Sequence, residues 1–128
     1  TGNNRDLNRY RWNHKNITQK LKNTRSKQSI FYKSITDLLE VRRKQTAFHP
    51  NGLRSSMNMG PKIFCFKRQS IDKKQIILCV TNLSSKSQST KINFKFLKWK
   101  NLLDNSNNHI LGEMIKLKPF QTVWLSNI

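Results

Sequence analysis

Acidic side chains are the residues of this sequence that could do acid–base chemistry, and there are 6 of them. They are Asp6, Asp37, Glu40, Asp72, Asp104 and Glu113. Asp37 and Glu40 lie one turn apart on a predicted helix, but their basic neighbours indicate a salt-bridged outer surface. We also find no Ser-His-Asp or Cys-His arrangement and no glycine-rich phosphate loop. The sequence therefore predicts neither a catalytic residue nor a cofactor site.

Histidine and cysteine spacing gives no metal site. His14, His49 and His109 lie in unrelated contexts, and none has a second ligand one helical turn away. Cys65 and Cys79 each lie inside an apolar, strand-like run, and there is no Cys-x-x-Cys pair. We interpret them as buried free thiols in a reducing compartment, in preference to a disulfide.

The net charge of +19, from 25 basic and 6 acidic residues, would attract polyanions whatever the fold. The basic residues are spread along the chain instead of gathering on one helix or arm, which favours a solvated surface. A basic polyanion- or nucleic-acid-binding module is the alternative, with Phe94, Phe96 and Trp99 as stacking residues between lysines. Phe94 and Phe96 alternate with lysine as in any half-buried strand, so we favour a core role. Charge alone would give only weak, non-specific binding of nucleic acid.

The chain has no predicted membrane segment. No apolar run approaches the roughly 18 residues of a membrane-spanning helix. The first residues, TGNNRDLNRYR, contain no apolar secretory signal. They also begin without Met, which fits a chain cut from a longer protein. We predict a cytoplasmic location.

Residues 26–46 have the periodicity of one amphipathic helix. Its apolar side chains, called here the apolar stripe, are Ile30, Phe31, Ile35, Leu38 and Leu39. Burying them would contribute on the order of 10 kcal/mol, so the helix must dock on something substantial. Ser26 or Ser29 is the predicted N-cap, and Pro50-Asn51-Gly52 ends the helical region. A shorter helical turn, with Asn16 as its N-cap, precedes it.

After Gly60 the apolar pattern has the period of β-strands. The predicted strands are 63–68, 76–82, 91–96, 110–117 as one strand or a pair, and 122–125. The second is apolar throughout, which is typical of a central strand buried on both faces. Residues 84–89 and 101–108 are predicted as a turn and a loop. Short strands at this spacing predict an antiparallel β-sandwich.

Several blocks of sequence resemble, in order, the C-terminal end of the α-amylase superfamily (glycoside hydrolase family thirteen), in particular its sucrose phosphorylase and glucosylglycerate phosphorylase branch. They are the helix end LLEVRR (38–43), the turn AFHPNG (47–52), the strands IFCFKR (63–68) and IILCVTNLS (76–84), and the closing strand PFQTVWL (119–125). RDLNRY (5–10) resembles the more specific Arg-Asp-Ile-Asn-Arg segment of the last loop above the catalytic barrel.

The resemblance implies an α+β fragment. Residues 1–50 would be the last active-site loop and final helix of a (β/α)8 barrel, and residues 51–128 a small antiparallel β-sandwich, domain C. The intact enzyme would transfer a glucosyl unit from a disaccharide to phosphate, using carboxylates that precede this segment. This chain would be structural and inactive alone. By the same resemblance Arg5 would bind the sugar, for which a guanidinium offers a rigid fork of donors.

The partner implied for the apolar stripe is the upstream barrel. Without that barrel the stripe is exposed, so we predict self-association of the isolated chain. A third possibility is carbohydrate binding by the sandwich through an exposed tryptophan, Trp12 or Trp99.

Overall fold

The computed structural model describes residues 11–92, 98–104, 110–111 and 113–128, and the chain divides into two compact units, Thr1–Leu39 and Glu40–Ile128. Helix α1 spans His14–Lys22 and helix α2 spans Lys27–Arg43. The N-cap of α1 is Asn13, whose side chain accepts a hydrogen bond from the backbone N–H of Lys15 at 2.9 Å. The predicted cap, Asn16, was wrong because the helix begins a turn earlier.

The start of α2 confirms one of the two predicted caps. The hydroxyl of Ser26 accepts a hydrogen bond from the backbone N–H of Ser29 at 3.0 Å. The helix ends at Arg43, earlier than predicted, with two arginines in its last turn where the helix dipole favours positive charge. A single 3-10 turn, Thr46–Phe48, follows.

The described residues of the second unit form eight strands in two antiparallel sheets. They are β1 Leu53–Asn58, β2 Ile63–Gln69, β3 Ile76–Asn82, β4 Gln88–Lys91, β5 Lys100–Asn101, β6 Ile110–Leu111, β7 Met114–Leu117 and β8 Thr122–Ser126. The larger sheet has the order β1-β2-β3-β8-β5, and the smaller has the order β4-β7-β6. The predicted strands β2, β3 and β8 are confirmed, and so is the pair in 110–117.

The main hydrophobic core is built from alternate residues of both sheets. Cys65, Leu78 and Leu125 of the larger sheet pack in one cluster with Ile115 and Leu117 of β7. A second cluster lies on the opposite face of β3 and includes Ile77 and Cys79. Strand β3 is therefore buried on both faces, as its continuous apolar sequence predicts.

Three short strands were not predicted. β1 has no apolar alternation, but all of its residues pair with β2, from Leu53 with Gln69 to Asn58 with Phe64. β4 begins at Gln88, inside the predicted turn, because it pairs with β7. β5 occupies the start of the predicted loop and pairs with the end of β8. Residues 93–96 of the predicted strand 91–96 lie outside the described residues.

Candidate functional site

The chain enters the sandwich through residues 45–50, which we call the crossing segment. Ala47 and Phe48 are buried in it, against Ile77 and Cys79 on the outer face of the larger sheet. The ring of Phe48 lies 4.8 Å from that of Trp124 at an interplanar angle of 58°, a tilted aromatic contact. The crossing segment is therefore part of a hydrophobic cluster rather than a free linker.

Gln75 connects the crossing segment to the sheet through both polar atoms of its side-chain amide. Its Oε1 accepts hydrogen bonds from the Ala47 backbone N–H at 2.9 Å and from the Thr46 hydroxyl at 3.0 Å. Its Nε2 donates to Gln45 Oε1 at 2.7 Å and to Ser126 Oγ at 3.2 Å. The side chain is buried, so these bonds replace water that cannot reach the site.

Arg68 holds the other end of the crossing segment. Its Nε donates to the carbonyl of Ala47 at 3.0 Å and its Nη2 to the carbonyl of His49 at 2.6 Å. Gly52 follows so closely that an added Cβ would lie 2.8 Å from the carbonyl oxygen of Gln69. Glycine is required there because any side chain would displace backbone. Together these contacts hold the crossing segment on the larger sheet.

The apolar stripe on α2 is left uncovered by the described residues. None of the helix residues is buried, and the exposed fractions of the stripe run from 38% at Leu38 to 69% at Phe31. The opposite surface carries an exposed ion pair, with Lys33 Nζ 2.8 Å from an Asp37 carboxylate oxygen. A helix that exposes a contiguous apolar surface of this kind marks an interaction site.

We expect the isolated chain to bind anilinonaphthalene-sulfonate and to self-associate through the apolar stripe. The double variant Phe31→Ser, Leu39→Ser should reduce both the dye fluorescence and the mean molar mass seen by light scattering. Leu53→Ser is the control, because Leu53 is 60% exposed, a fraction between those of Leu39 and Phe31, but lies on β1. A compact wild-type monomer with no excess dye binding would contradict the prediction.

The structure describes some of the sequence-predicted binding residues. Arg5, Phe94 and Phe96 lie outside the described residues. Trp12 is 44% exposed, with Lys20 Nζ 4.8 Å from its ring centroid. Trp99 is buried in the main core, so the prediction of a sugar-binding surface at Trp99 was wrong: its ring packs between the sheets.

The carboxylates described by the structure lie in separate places. Glu113 pairs with Lys91 at 2.9 Å, and an Asp104 oxygen accepts a hydrogen bond from the Asn101 amide at 2.6 Å. The pKa of Asp72 is lowered, first by a hydrogen bond from the Ser70 hydroxyl and then by one from the Lys74 backbone N–H. A lowered pKa suits a turn-forming carboxylate and opposes a role as general acid. Within the described ranges, no group of three potential ligands could hold a metal ion.

Cys65 and Cys79 are free, buried thiols, as predicted. Cys65 pairs in register with Val80, and Cys79 pairs with Phe66, so the two side chains lie on opposite faces of the sheet. Burial raises the pKa of Cys65 to about 11 and that of Cys79 to about 12. Both thiols are therefore protonated and unreactive at neutral pH.

These raised pKa values predict a loss of stability in alkali. Above the ordinary thiol pKa of 9.0 the unfolded chain releases protons that the folded chain retains, so the free energy of unfolding falls as the pH rises towards about 11 and about 12. Urea denaturation at pH about 8 and about 10 measures the fall in the free energy of unfolding between the two pH values. This fall should be smaller for the double variant Cys65→Val, Cys79→Val than for the wild type. Equal falls in the two proteins would contradict this.

Comparison with known proteins shows which protein family has this architecture. The family model described as the maltogenic amylase C-terminal domain matches residues 55–124. The chain is 31% identical over 84 residues to a glucosylglycerate phosphorylase of Spirochaeta thermophila, covering 66% of this chain and 14% of the relative. It is 27% identical over 125 residues to the glucosylglycerate phosphorylase of Escherichia coli K12, covering 97% of this chain and 21% of the relative.

Solved structures show the same fold. The α-glucosyl transfer enzyme XgtA matches 87% of this chain and 19% of its own, with a TM-score of 0.62 at 16% identity. The trehalulose synthase MutB of Pseudomonas mesoacidophila MX-45 matches 85% of this chain and 19% of its own, with a TM-score of 0.62 at 14% identity.

The fold is that of the C-terminal β-sandwich domain of α-amylase superfamily enzymes, which confirms the resemblance seen in the sequence. Since the family model matches more than half of its residues, the chain belongs to the family of maltogenic amylase C-terminal domains. The chain spans only 14% and 21% of the length of the two curated relatives.

The residues that pin the crossing segment were not recognised in the sequence. Gln75 and Arg68 are ordinary polar residues beside or within apolar strands, and their partners lie 28 and 21 residues away along the chain. The sequence signal nearest to them was the turn AFHPNG. It predicts a fixed connection between helix and sandwich, but it does not show which residues bind that connection to the sheet.

Proposed function

We propose that this chain is the C-terminal part of a glucosyl-transferring enzyme of the α-amylase superfamily, in which its own role is structural. Residues 1–50 supply the last active-site loop and the final helix of a (β/α)8 barrel, and residues 51–128 form the sandwich that follows it. The apolar stripe packs against the rest of the barrel, and the crossing segment joins the final helix to the sandwich. This division of the chain rests on the resemblance of RDLNRY and LLEVRR to the same parts of that family.

One observation carries the proposal, and a second agrees with it. The match to the Escherichia coli phosphorylase includes 97% of this chain but only 21% of the relative. The exposed apolar stripe is what a helix cut from its packing partner would show. A longer polypeptide accounts for both findings.

We further propose that the longer protein transfers glucose from a glucosyl donor to phosphate, with glucosylglycerate the first donor to test, because both curated relatives are named glucosylglycerate phosphorylases. A retaining reaction of this type needs two carboxylates about 5–5.5 Å apart, one a nucleophile and one an acid/base. We assign these to the part of the protein that precedes this chain. Arg5 would hold a sugar hydroxyl near them, and the 128-residue chain alone would be inactive.

We propose a cytoplasmic location for this protein. Two buried free thiols on opposite faces of one sheet are consistent with a reducing compartment. No helix in the described ranges is long and apolar enough to cross a membrane.

The test begins with the size of the native protein, measured by immunoblot of the source cell with an antibody against this chain. We expect a band several times larger than 15.2 kDa. The purified larger protein should release glucose 1-phosphate from glucosylglycerate or sucrose in phosphate buffer, and the 128-residue chain should not. A band at 15.2 kDa, or a larger protein that is inactive on all glucosyl donors, would contradict the proposal.

The alternative of a nucleic-acid-binding module receives no support from the proteins that this chain resembles. Both curated relatives are phosphorylases, and the structural neighbour XgtA is a glucosyl transfer enzyme. The net charge of +19 is then a property of the surface, and any binding of polyanions should be weak and unselective.

A further inference from the structure

A turn with chemistry of its own lies at the end of the crossing segment. Pro50 and Asn51 are its central residues, and the Gly52 N–H closes it by donating to the carbonyl of His49 at 2.9 Å. Asn51 is exposed, and in the part of the chain that the structure describes its side-chain amide makes no hydrogen bond. It is the one asparagine of the sequence that a glycine follows. Asparagine loses its amide most readily before glycine, because no Cβ hinders the glycine nitrogen.

Deamidation at this pair needs water as its only co-reactant. The backbone nitrogen of Gly52 attacks Cγ of Asn51, and a new C–N bond closes a succinimide ring. The side-chain nitrogen leaves as ammonia, taking the proton of the Gly52 N–H. Water then adds its hydroxyl to one ring carbonyl, breaks that C–N bond and returns a proton to the Gly52 nitrogen. Opening at the side-chain carbonyl gives aspartate, and opening at the backbone carbonyl gives isoaspartate, whose main chain contains an extra methylene group.

The folded turn opposes this attack. The Gly52 nitrogen must lose its proton to react, but that N–H is bonded to the His49 carbonyl, and Arg68 Nη2 donates to the same oxygen at 2.6 Å. The Asn51 N–H donates to Nδ1 of His49 at 3.2 Å, which restrains the backbone before the reacting bond. Gly52 itself is packed so closely that an added Cβ would lie 2.8 Å from the carbonyl oxygen of Gln69. Attack therefore requires the crossing segment to open locally.

We propose that Asn51–Gly52 is a deamidation site that the contacts of the crossing segment keep unreactive, and that reaction there releases the segment irreversibly. Isoaspartate lengthens the main chain where the backbone of Gly52 is packed against the carbonyls of Gln69 and His49. The turn that brings the His49 carbonyl to Arg68 is then lost. The pair thus converts a brief local opening into a permanent one. Neither step depends on the proposed function, since both involve this chain alone.

Mass spectrometry measures the reaction in the 128-residue chain, aged in mildly alkaline buffer and then digested with trypsin. The digest contains residues 45–54 as one peptide, in which Asn51 is the single asparagine. The same peptide made synthetically gives the rate in the absence of the fold. We expect Asn51 to deamidate about tenfold more slowly, or slower still, in the folded chain than in the peptide, with isoaspartate among the products.

Arg68→Ala tests whether the guanidinium restrains the site. Loss of two hydrogen bonds from a charged donor should raise the rate at Asn51 by about tenfold, because the crossing segment opens more often. Lys67→Ala is the matched control, because Lys67 precedes Arg68 on β2 and projects from the opposite face of the sheet. Its rate should stay within about twofold of the wild type. Urea denaturation shows whether each variant folds, and the comparison of the wild-type chain with the peptide does not depend on either.

Four outcomes would overturn the inference. Equal rates in the folded chain and the peptide would show that the turn does not restrain Gly52. No reaction in either would show that Asn51 is not a modification site. Equal rates in folded Arg68→Ala and Lys67→Ala would remove Arg68 from the restraint. Finally, the deamidated chain, separated by ion exchange, should unfold at a lower urea concentration than the unmodified chain, and equal midpoints would show that the crossing segment is not released.

Discussion

Replacing Gln75 by alanine is expected to lower the free energy of unfolding of this chain by about 3 kcal/mol. The substitution leaves the buried Ala47 N–H and the buried Ser126 hydroxyl without the partners they have 2.9 and 3.2 Å away. It also opens a small cavity beneath the crossing segment, which adds to the loss. Urea denaturation followed by tryptophan fluorescence measures the change, because Trp124 lies in the adjoining cluster.

The matched control for this experiment is Gln88→Ala. Gln88 lies on β4, is partly exposed, and donates from its side chain to Ser84 Oγ at 3.2 Å. Its loss should cost less than about 1 kcal/mol, because water can replace the partner. If both variants lost the same stability, Gln75 would not be the residue that holds the crossing segment.

If the longer enzyme is the one proposed above, replacing Arg5 by alanine is expected to lower its kcat/KM by about a hundredfold or more, the loss seen when one hydrogen-bond donor to a transition state is removed. The expectation follows from the proposed match of RDLNRY to the loop that reaches the glucosyl pocket. The measurement is the initial rate of phosphorolysis of glucosylglycerate as a function of its concentration.

Arg11→Ala is the control for Arg5. Arg11 is an exposed arginine that follows the RDLNRY block and has no part in the resemblance. Its substitution should leave kcat/KM within about twofold of the wild type, since the charge of an exposed arginine is screened by salt. Similar losses in both variants, or no loss in either, would remove Arg5 from the proposed binding site.

Much of the sandwich could be predicted because apolar periodicity is a local signal. Ile76–Asn82 is apolar at nearly every position, and the structure buries it on both faces at the centre of the larger sheet. The closing strand, Thr122–Ser126, was recognised for the same reason. Strands without such a pattern were missed: β1 forms because β2 offers a free edge, not because Leu53–Asn58 alternates.

Tryptophan shows where residue type alone was insufficient. The sequence offered Trp12 and Trp99 equally as an exposed, sugar-binding tryptophan. Only the packing in the structure shows which of the two is exposed. Trp99 enters the main core just before β5, while Trp12 remains partly exposed before α1. The difference depends on long-range contacts between sheets that no short stretch of sequence encodes.

What the sequence by itself determined was the two helices, the strongly apolar strands, the free thiols and the apolar stripe, because each depends on residue type and short-range spacing. The family was indicated by the resemblance of several blocks in order. Only the tertiary structure decided how the crossing segment is held, by Gln75 and Arg68. Those contacts depend on the folding of the sheet, which brings residues far apart in the chain to one face.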